Sequence, residues 1–278
     1  MDWLDALILG IVQGASEYLP ISSSGHLAIF REILGVELPT DQALVFDVMV
    51  HFATVLSTIV ILAPMFKRLL KGFFRFDGGP DFTYVCKVLV SCIPVGIVGV
   101  FFKDYVESIF GEGLTVVGCC LIATALLLTF AYYSGIDRKT GRVRPADKGR
   151  DISWWDAFII GIGQAIAVLP GLSRSGTTIA TGILLGDKRS QVATFSFIMV
   201  VLPIIGEALL DLAKMLSPAE AGAGAGSPVG AGALLVGFLS AFLVGCAACK
   251  WMIALVKKGK LIWFAVYCVA VGVLCLVW

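Results

Sequence analysis

Charge is what this 278-residue chain has least of: 15% of its residues are Asp, Glu, Lys or Arg, where a soluble domain carries about 25%. Such a surface cannot solvate a water-soluble protein of this size. The balance of charge is also near zero, at +1, so composition gives no sign of a nucleic-acid partner. The N-terminus has Asp2 and Asp5 and no basic stretch, so no removable signal peptide is expected. Eight cysteines are scattered through apolar segments. Cys246 and Cys249 have CxxC spacing but no second pair nearby, so small packing residues are expected rather than a disulfide framework or a zinc site.

What is abundant is apolar sequence, 58% of the chain, with a mean hydropathy of +0.94. Six long stretches recur: Leu44 to Met65, Val85 to Phe102, Leu114 to Tyr133, Val192 to Leu210, Val229 to Cys249, and Leu261 to Trp278. Each has about the 17–25 residues that cross a ~30 Å hydrocarbon core. Most Lys and Arg fall in four regions, Lys67 to Lys87, Arg138 to Arg150, Lys188-Arg189, and Lys250 to Lys260. The positive-inside tendency puts these in the cytoplasm. The segments around Lys103-Asp104, Glu107 and Glu112, and around Pro218 to Pro228, are acidic or nearly neutral and are expected outside.

A repeat organises the chain. Asp5-Ala6 through Gly10 and Gln13 match Asp156-Ala157 through Gly161 and Gln164. Each copy then reaches a proline and a serine-rich turn with glycine, Gln13 to His26 (QGASEYLPISSSGH) and Gln164 to Thr178 (QAIAVLPGLSRSGTT). With the basic regions held inside, Trp154 to Leu185 starts and ends on one face. It is too short for two spans and is interrupted by Pro170-Gly171, so a re-entrant hairpin is expected. Trp3 to Phe30, broken at Pro20 to Gly25, is read the same way from the other face. Three spans follow each hairpin, and three is odd, so the halves run in opposite directions. That is the inverted-repeat design in which broken helices meet at the midplane, surrounded by protein or water because unpaired backbone is not tolerated against lipid. The expected architecture is an all-α polytopic membrane protein of six transmembrane helices and two re-entrant hairpins. Residues 1–133 form the first repeat (hairpin 3–30), 134–153 a cytoplasmic linker and 154–278 the second repeat (hairpin 154–185). Both termini fall on the outer side. Phe74 to Pro80 reads as a cytoplasmic turn and Ala219 to Gly232 as a flexible outer loop.

Polar residues in such a chain mark a site. Gln13 and Glu17 are four apart, one helical turn on one face. A carboxylate in an apolar segment is costly and usually functional. With an amide it can hold a hard cation or position water; a structural hydrogen bond is the plainer alternative. Ser22, Ser23, Ser24, Gly25 and His26 follow Pro20, and a helix starting there offers free N–H groups to an anion. His26 could attack, or donate a proton to a departing oxygen. Arg174, at the repeat position of Ser23, presents a planar fork suited to phosphate oxygens, with the hydroxyls of Ser173, Ser175, Thr177 and Thr178 beside it. An internal salt bridge to Glu17 is its alternative role. Asp47 and His51, also four apart, read as supporting residues or as a hydrogen-bonded helix pair. The set suits phosphoryl transfer to water from an amphiphile with an anionic head and an apolar tail, with a divalent cation offsetting phosphate charge. A transporter or flippase using the same pocket without cleavage is the rival reading.

Three elements together closely resemble the bacterial undecaprenyl-diphosphatases of the bacitracin-resistance type, over essentially the whole chain. They are Gln13-Gly14-Ala15-Ser16-Glu17, Pro20-Ile21-Ser22-Ser23-Ser24-Gly25-His26, and Pro170 through Thr178 (PGLSRSGTT). The resemblance implies removal of the terminal phosphate of undecaprenyl diphosphate, which returns the monophosphate carrier to cell-wall synthesis. It implies a divalent cation, Mg2+ or Ca2+, and a site opening to the periplasmic side of the bacterial inner membrane. By resemblance Glu17 and Gln13 hold the cation or activate water. His26 or Ser23 attacks or shuttles a proton, and Arg174, Ser173 and Ser175 clamp the diphosphate, with Ser22, Ser24, Gly25 and Thr178 around it. Many members have Glu where this chain has Gln13. An amide is not a base, so the burden of charge moves to Glu17. The choice between Ser23 and His26 as nucleophile stays open at this level, as does the choice between monomer and homodimer.

Overall fold

The computed structural model describes residues 1–102, 113–137, 139–206, 209 and 229–278, the side chains of residues 40 and 41 excepted. The acidic turn expected around Lys103, Asp104, Glu107 and Glu112 lies outside the described residues, as do Arg138 and most of the Ala219 to Gly232 loop. Eleven helices of 11 or more residues are described: α1 (Trp3–Ser16), α2 (Ser23–Leu34), α3 (Thr40–Ile61), α4 (Ala63–Phe73), α5 (Pro80–Phe101), α6 (Leu114–Ser134), α7 (Trp154–Ile166), α8 (Arg174–Leu185), α9 (Arg189–Met199), α10 (Ala231–Lys258) and α11 (Ile262–Val277). The chain is an all-α polytopic membrane protein. Among the described residues its extended pairing is limited to two isolated bridges, Ile136 with Val143 and Arg150 with Asp187.

The matching sequence of the two halves becomes matching caps. Asp2 caps α1, and Asp5 returns the bond to the cap backbone. Ser153 caps α7, and Asp156 does the same. These are reciprocal capping boxes, and they explain why an aspartate opens each copy of the repeat. Ser22 accepts from the Gly25 N–H to start α2, and Ser173 accepts from the Gly176 N–H to start α8. Gly35 and Gly186, at φ 61° and 90°, end α2 and α8 in the left-handed conformation that glycine adopts without a steric penalty. The helices α1, α2, α7 and α8 have 14, 12, 13 and 12 residues. At 1.5 Å per residue each is about 18–21 Å long, short of a ~30 Å core.

Five helical segments are long and apolar enough to cross a membrane: Gln42–Ile61, α5, α6, Arg189–Gly206 and α10. The sixth expected span, α11, has 16 residues, about 24 Å. The first span ends earlier than its hydropathy suggests. Helix α3 stops at Ile61 and α4 begins at Ala63 with Pro64 in its first turn, the position proline tolerates because no N–H is needed there. The fourth span is interrupted at Val200, as Pro203 demands, since its ring clashes with the carbonyl four residues back.

Each hairpin packs on spans of the other half: α1 against α10, and α7 against α5. Glycine makes both contacts close. A methyl group on Gly10 would sit 2.4 Å from the Gly237 carbonyl oxygen, and one on Gly161 would sit 2.3 Å from that of Ser91. The last spans of the two halves, α6 and α11, pack on each other through Gly118 and Gly272. The hairpin tips meet at the centre. Gly25 lies against Gly171, Gly176 against Pro20, and Ser175 Oγ donates to the Leu19 carbonyl at 3.0 Å.

Candidate functional site

Helix α1 ends where the site begins. Gln13 is fully buried, and Glu17 caps the helix one turn on. Gln13 Nε2 donates to Glu17 Oε2 at 2.9 Å, and Ser23 Oγ donates to the same oxygen at 2.6 Å. The second bond has the length of a hydroxyl bound to an ionised carboxylate. It links the end of α1 to the first turn of α2 across the broken segment. The backbone bends sharply to allow it: Ser22 has φ 70°, a conformation that a non-glycine residue holds only where its surroundings enforce it.

Glu17 and Arg174 line one narrow cavity with Tyr18, Thr54, Thr58, Ser175, Thr178 and Ser196. Its space is about 20 Å³, room for roughly one water. The salt bridge offered as an alternative role for Arg174 is not formed: Glu17 and Arg174 make no direct ion pair. One Arg174 guanidinium nitrogen, Nη1, is instead buried without a hydrogen-bond partner. A buried unsatisfied cationic donor is expensive, and phosphate oxygens are the partner its fork fits. Arg174 occupies the first turn of α8 as Ser23 occupies the first turn of α2. Both helix N-termini therefore offer their positive ends to the same region.

The other expected site residues divide into two groups. Ser175 and Thr178 line the cavity. Ser22 and Ser173 are caps, Ser24 is within 3.4 Å of Ser22, and Gly25 forms the tip contact. His26 is buried and turned away. Its Nδ1 donates to the Ser22 carbonyl at 2.8 Å, so that nitrogen carries the proton; Nε2 then accepts from the Tyr267 hydroxyl at 2.8 Å. The two rings also stack, with centroids 5.6 Å apart. His26 thus lines neither the cavity nor the Glu17–Ser23 bond.

Asp47 forms an ion pair with Arg31 and is not in the cavity. His51 donates from Nδ1 to the Asp47 carbonyl at 2.8 Å, and this leaves Nε2 facing Glu17 Oε2 at 3.8 Å. The helix pair that the spacing of Asp47 and His51 suggested is therefore a side-chain bond to backbone, and His51 alone reaches the carboxylate.

Sequence reasoning passed over Tyr18, which sits beside Glu17 and donates to the Thr54 carbonyl at 2.6 Å, against Ser57 and Thr58. The signal was there in Thr54, Ser57 and Thr58, whose 3- and 4-residue spacing gives an apolar span one polar stripe. Tyr267 had no local signal, because it meets His26 from the far end of the chain.

For a hard cation the available protein donors are oxygens. Gln13 Oε1 is buried without a partner, since the amide has turned its nitrogen to Glu17. With the Glu17 carboxylate it forms a two-residue oxygen set. Among the described residues no cluster of three or more His, Cys, Asp or Glu side chains could hold a metal. Few protein ligands suit a cation that keeps waters and takes substrate phosphate oxygens, as Mg2+ does.

The family described as Bacitracin resistance protein BacA matches residues 6–274. The chain is 54% identical over 277 residues to an undecaprenyl-diphosphatase of Bacteroides fragilis, covering 100% of this chain and 98% of that one. It is 54% identical over 272 residues to an undecaprenyl-diphosphatase of Bacteroides thetaiotaomicron, covering 98% and 97%. An undecaprenyl-diphosphatase of Christiangramia forsetii is 43% identical over 272 residues, covering 98% and 96%.

Proposed function

This chain belongs to the Bacitracin resistance protein BacA family, and we propose that it hydrolyses undecaprenyl diphosphate to undecaprenyl phosphate and inorganic phosphate in the cavity between Glu17 and Arg174. That reaction recycles the lipid carrier of cell-wall synthesis. The observation that carries the assignment of chemistry is the 2.6 Å bond from Ser23 Oγ to Glu17 Oε2, which sets a nucleophile against a carboxylate that lines the same cavity as Arg174.

Arg174 binds the diphosphate through its fork, with Ser175 and Thr178 beside it. Ser23 Oγ attacks the terminal phosphorus. Its proton passes to Glu17, the bond from phosphorus to the bridging oxygen breaks, and undecaprenyl phosphate leaves. Water then attacks the phosphoserine phosphorus, the bond from phosphorus to Ser23 Oγ breaks, Glu17 returns its proton to that oxygen, and the water's protons leave with the phosphate. His26 supports this from behind: held by Ser22 and Tyr267, it fixes the turn on which Ser22 and Ser23 stand. A divalent cation held by Glu17 and Gln13 supplies neutralisation of phosphate charge.

The setting is the bacterial inner membrane, with both termini periplasmic and the two hairpins inserted from opposite faces. Three observations support that arrangement: the basic loops, the short hairpin helices, and the contact between the hairpin tips. The test is phosphate release by the purified chain given undecaprenyl diphosphate, with a mildly alkaline denaturing quench, which preserves both phosphoserine and phosphohistidine, to trap the phosphorylated residue. Phosphate release with label on Ser23 is expected. Label on His26 overturns the assignment of Ser23, and transport of intact diphosphate without release overturns the hydrolase.

A further inference from the structure

The cavity that holds Glu17 and Arg174 does not end in polar groups. Its other wall is Val55 of α3 with Val200 and Ile204 at the end of the fourth span. These belong to a small apolar cluster of Val55, Val201 and Ile204, with Ile59, Val200 and Ile205 packed against it. Its buried members are distinct from those of the two larger cores, and Phe66 packs against both it and the largest one. Helix α3 rests on α1 and α10, and α9 rests on α8, α10 and α5. Aliphatic side chains of α3 and of the 200–206 segment fill the gap between them.

We infer that this gap is the binding slot for the isoprenoid tail of the substrate, an inference that rests on the hydrolase reading above. One opening runs from a guanidinium and two hydroxyls to a wall of branched aliphatic side chains, the polarity sequence of a lipid diphosphate from head to tail. Among the described residues, parting this joint breaks aliphatic contacts and no hydrogen bond, and an apolar tail replaces those contacts in kind. A wider apolar groove exists between α1 and α10, lined by Ala15, Leu19, Val244, Ala247, Ala248 and Trp251. It includes neither Glu17 nor Arg174, so a tail lying there would have its head on the wrong side of α1.

The slot makes Ile204 and Val200 determinants of tail selectivity. The experiment compares kcat/KM for undecaprenyl diphosphate with that for a single-isoprene diphosphate, in the wild-type chain and in Ile204→Trp and Val200→Trp. A filled slot removes contact with several tail methylenes, so the long-to-short ratio is expected to fall about tenfold or more. A ratio equal to wild type in both variants overturns the slot. In parallel, undecaprenyl diphosphate carrying a diazirine in its first isoprene units is photolysed on the wild-type chain. Label within residues 54–61 or 196–206 is expected; label confined to Ala247 to Trp251 overturns the slot. Failure of the wild-type chain to release phosphate from either substrate defeats the hydrolase reading instead, and so separates the two failures.

Discussion

Replacing Glu17 by Gln tests the central bond directly. The amide is nearly the same shape and keeps an oxygen that can accept from Ser23 and from Gln13, so the broken turn retains its geometry. What it loses is basicity. A positioned general base contributes about 10²–10⁴-fold, which at 1.36 kcal/mol per decade is about 2.7–5.5 kcal/mol of barrier. The cost to folding is smaller. A charge-assisted hydrogen bond becomes a neutral one, a loss of about 1 kcal/mol, offset by relief of a carboxylate's desolvation. Phosphate release at saturating cation should therefore fall by about two to four decades, with only a small change in thermal unfolding in detergent. Ser23→Ala and the double variant complete the cycle. Residues that act as one unit are not additive, so the double variant should be no slower than Ser23→Ala within about threefold. A double variant that shows the product of the two single losses would refute the coupling. So would an Glu17→Gln chain retaining more than about a tenth of wild-type turnover.

Chelation should abolish phosphate release and added Mg2+ or Ca2+ should restore it, with Glu17→Gln requiring more cation than wild type; full turnover in chelator would remove the metal from the account. Arg174→Lys keeps the charge but loses the planar fork, and at a bidentate site this is not a conservative change; phosphate release should fall by about one to two decades in kcat/KM, and an unchanged value would mean that the guanidinium does not hold the diphosphate. Asp187 lies between α8 and α9, outside the spans, and its carboxyl is pushed up to about 6 by burial and by Asp156, against the pull of Arg150. Since that value lies above the unfolded one, the charged carboxylate costs stability above pH 6, and the cost fades as pH falls through 6 toward 4. Asp187→Asn should therefore stabilise the chain at pH 7 by on the order of 1 kcal/mol, read as a raised unfolding temperature, and the gain should disappear near pH 4; a loss of stability at pH 7 would show that the Arg150 pair outweighs burial.

Much of this protein is written locally and can be read locally. The spans follow from apolar length. The hairpins follow from Pro20 and Pro170 with the capping serines Ser22 and Ser173 three residues before Gly25 and Gly176, because a helix cap is a contact between near neighbours. Gln13 and Glu17 share a helical face by spacing alone, and their 2.9 Å bond required nothing from the rest of the chain. Local signals misplace the end of the first span, because hydropathy runs through Leu62 while Pro64 starts a new helix.

The roles within the site depended on residues far apart in the chain. Ser23 and His26 look interchangeable in sequence, three residues apart on one turn. Folding separates them, because the same helix α2 turns Ser23 toward Glu17 and His26 toward Tyr267, 241 positions away. Arg174 meets the Glu17 cavity only because two hairpin tips touch, at Gly25 with Gly171 and at Gly176 with Pro20. The aliphatic wall opposite them comes from two spans, one in each half. Periodicity and hydropathy describe which residues share a helix face; which faces end up against one another is decided by packing, and in this chain the packing interleaves the halves.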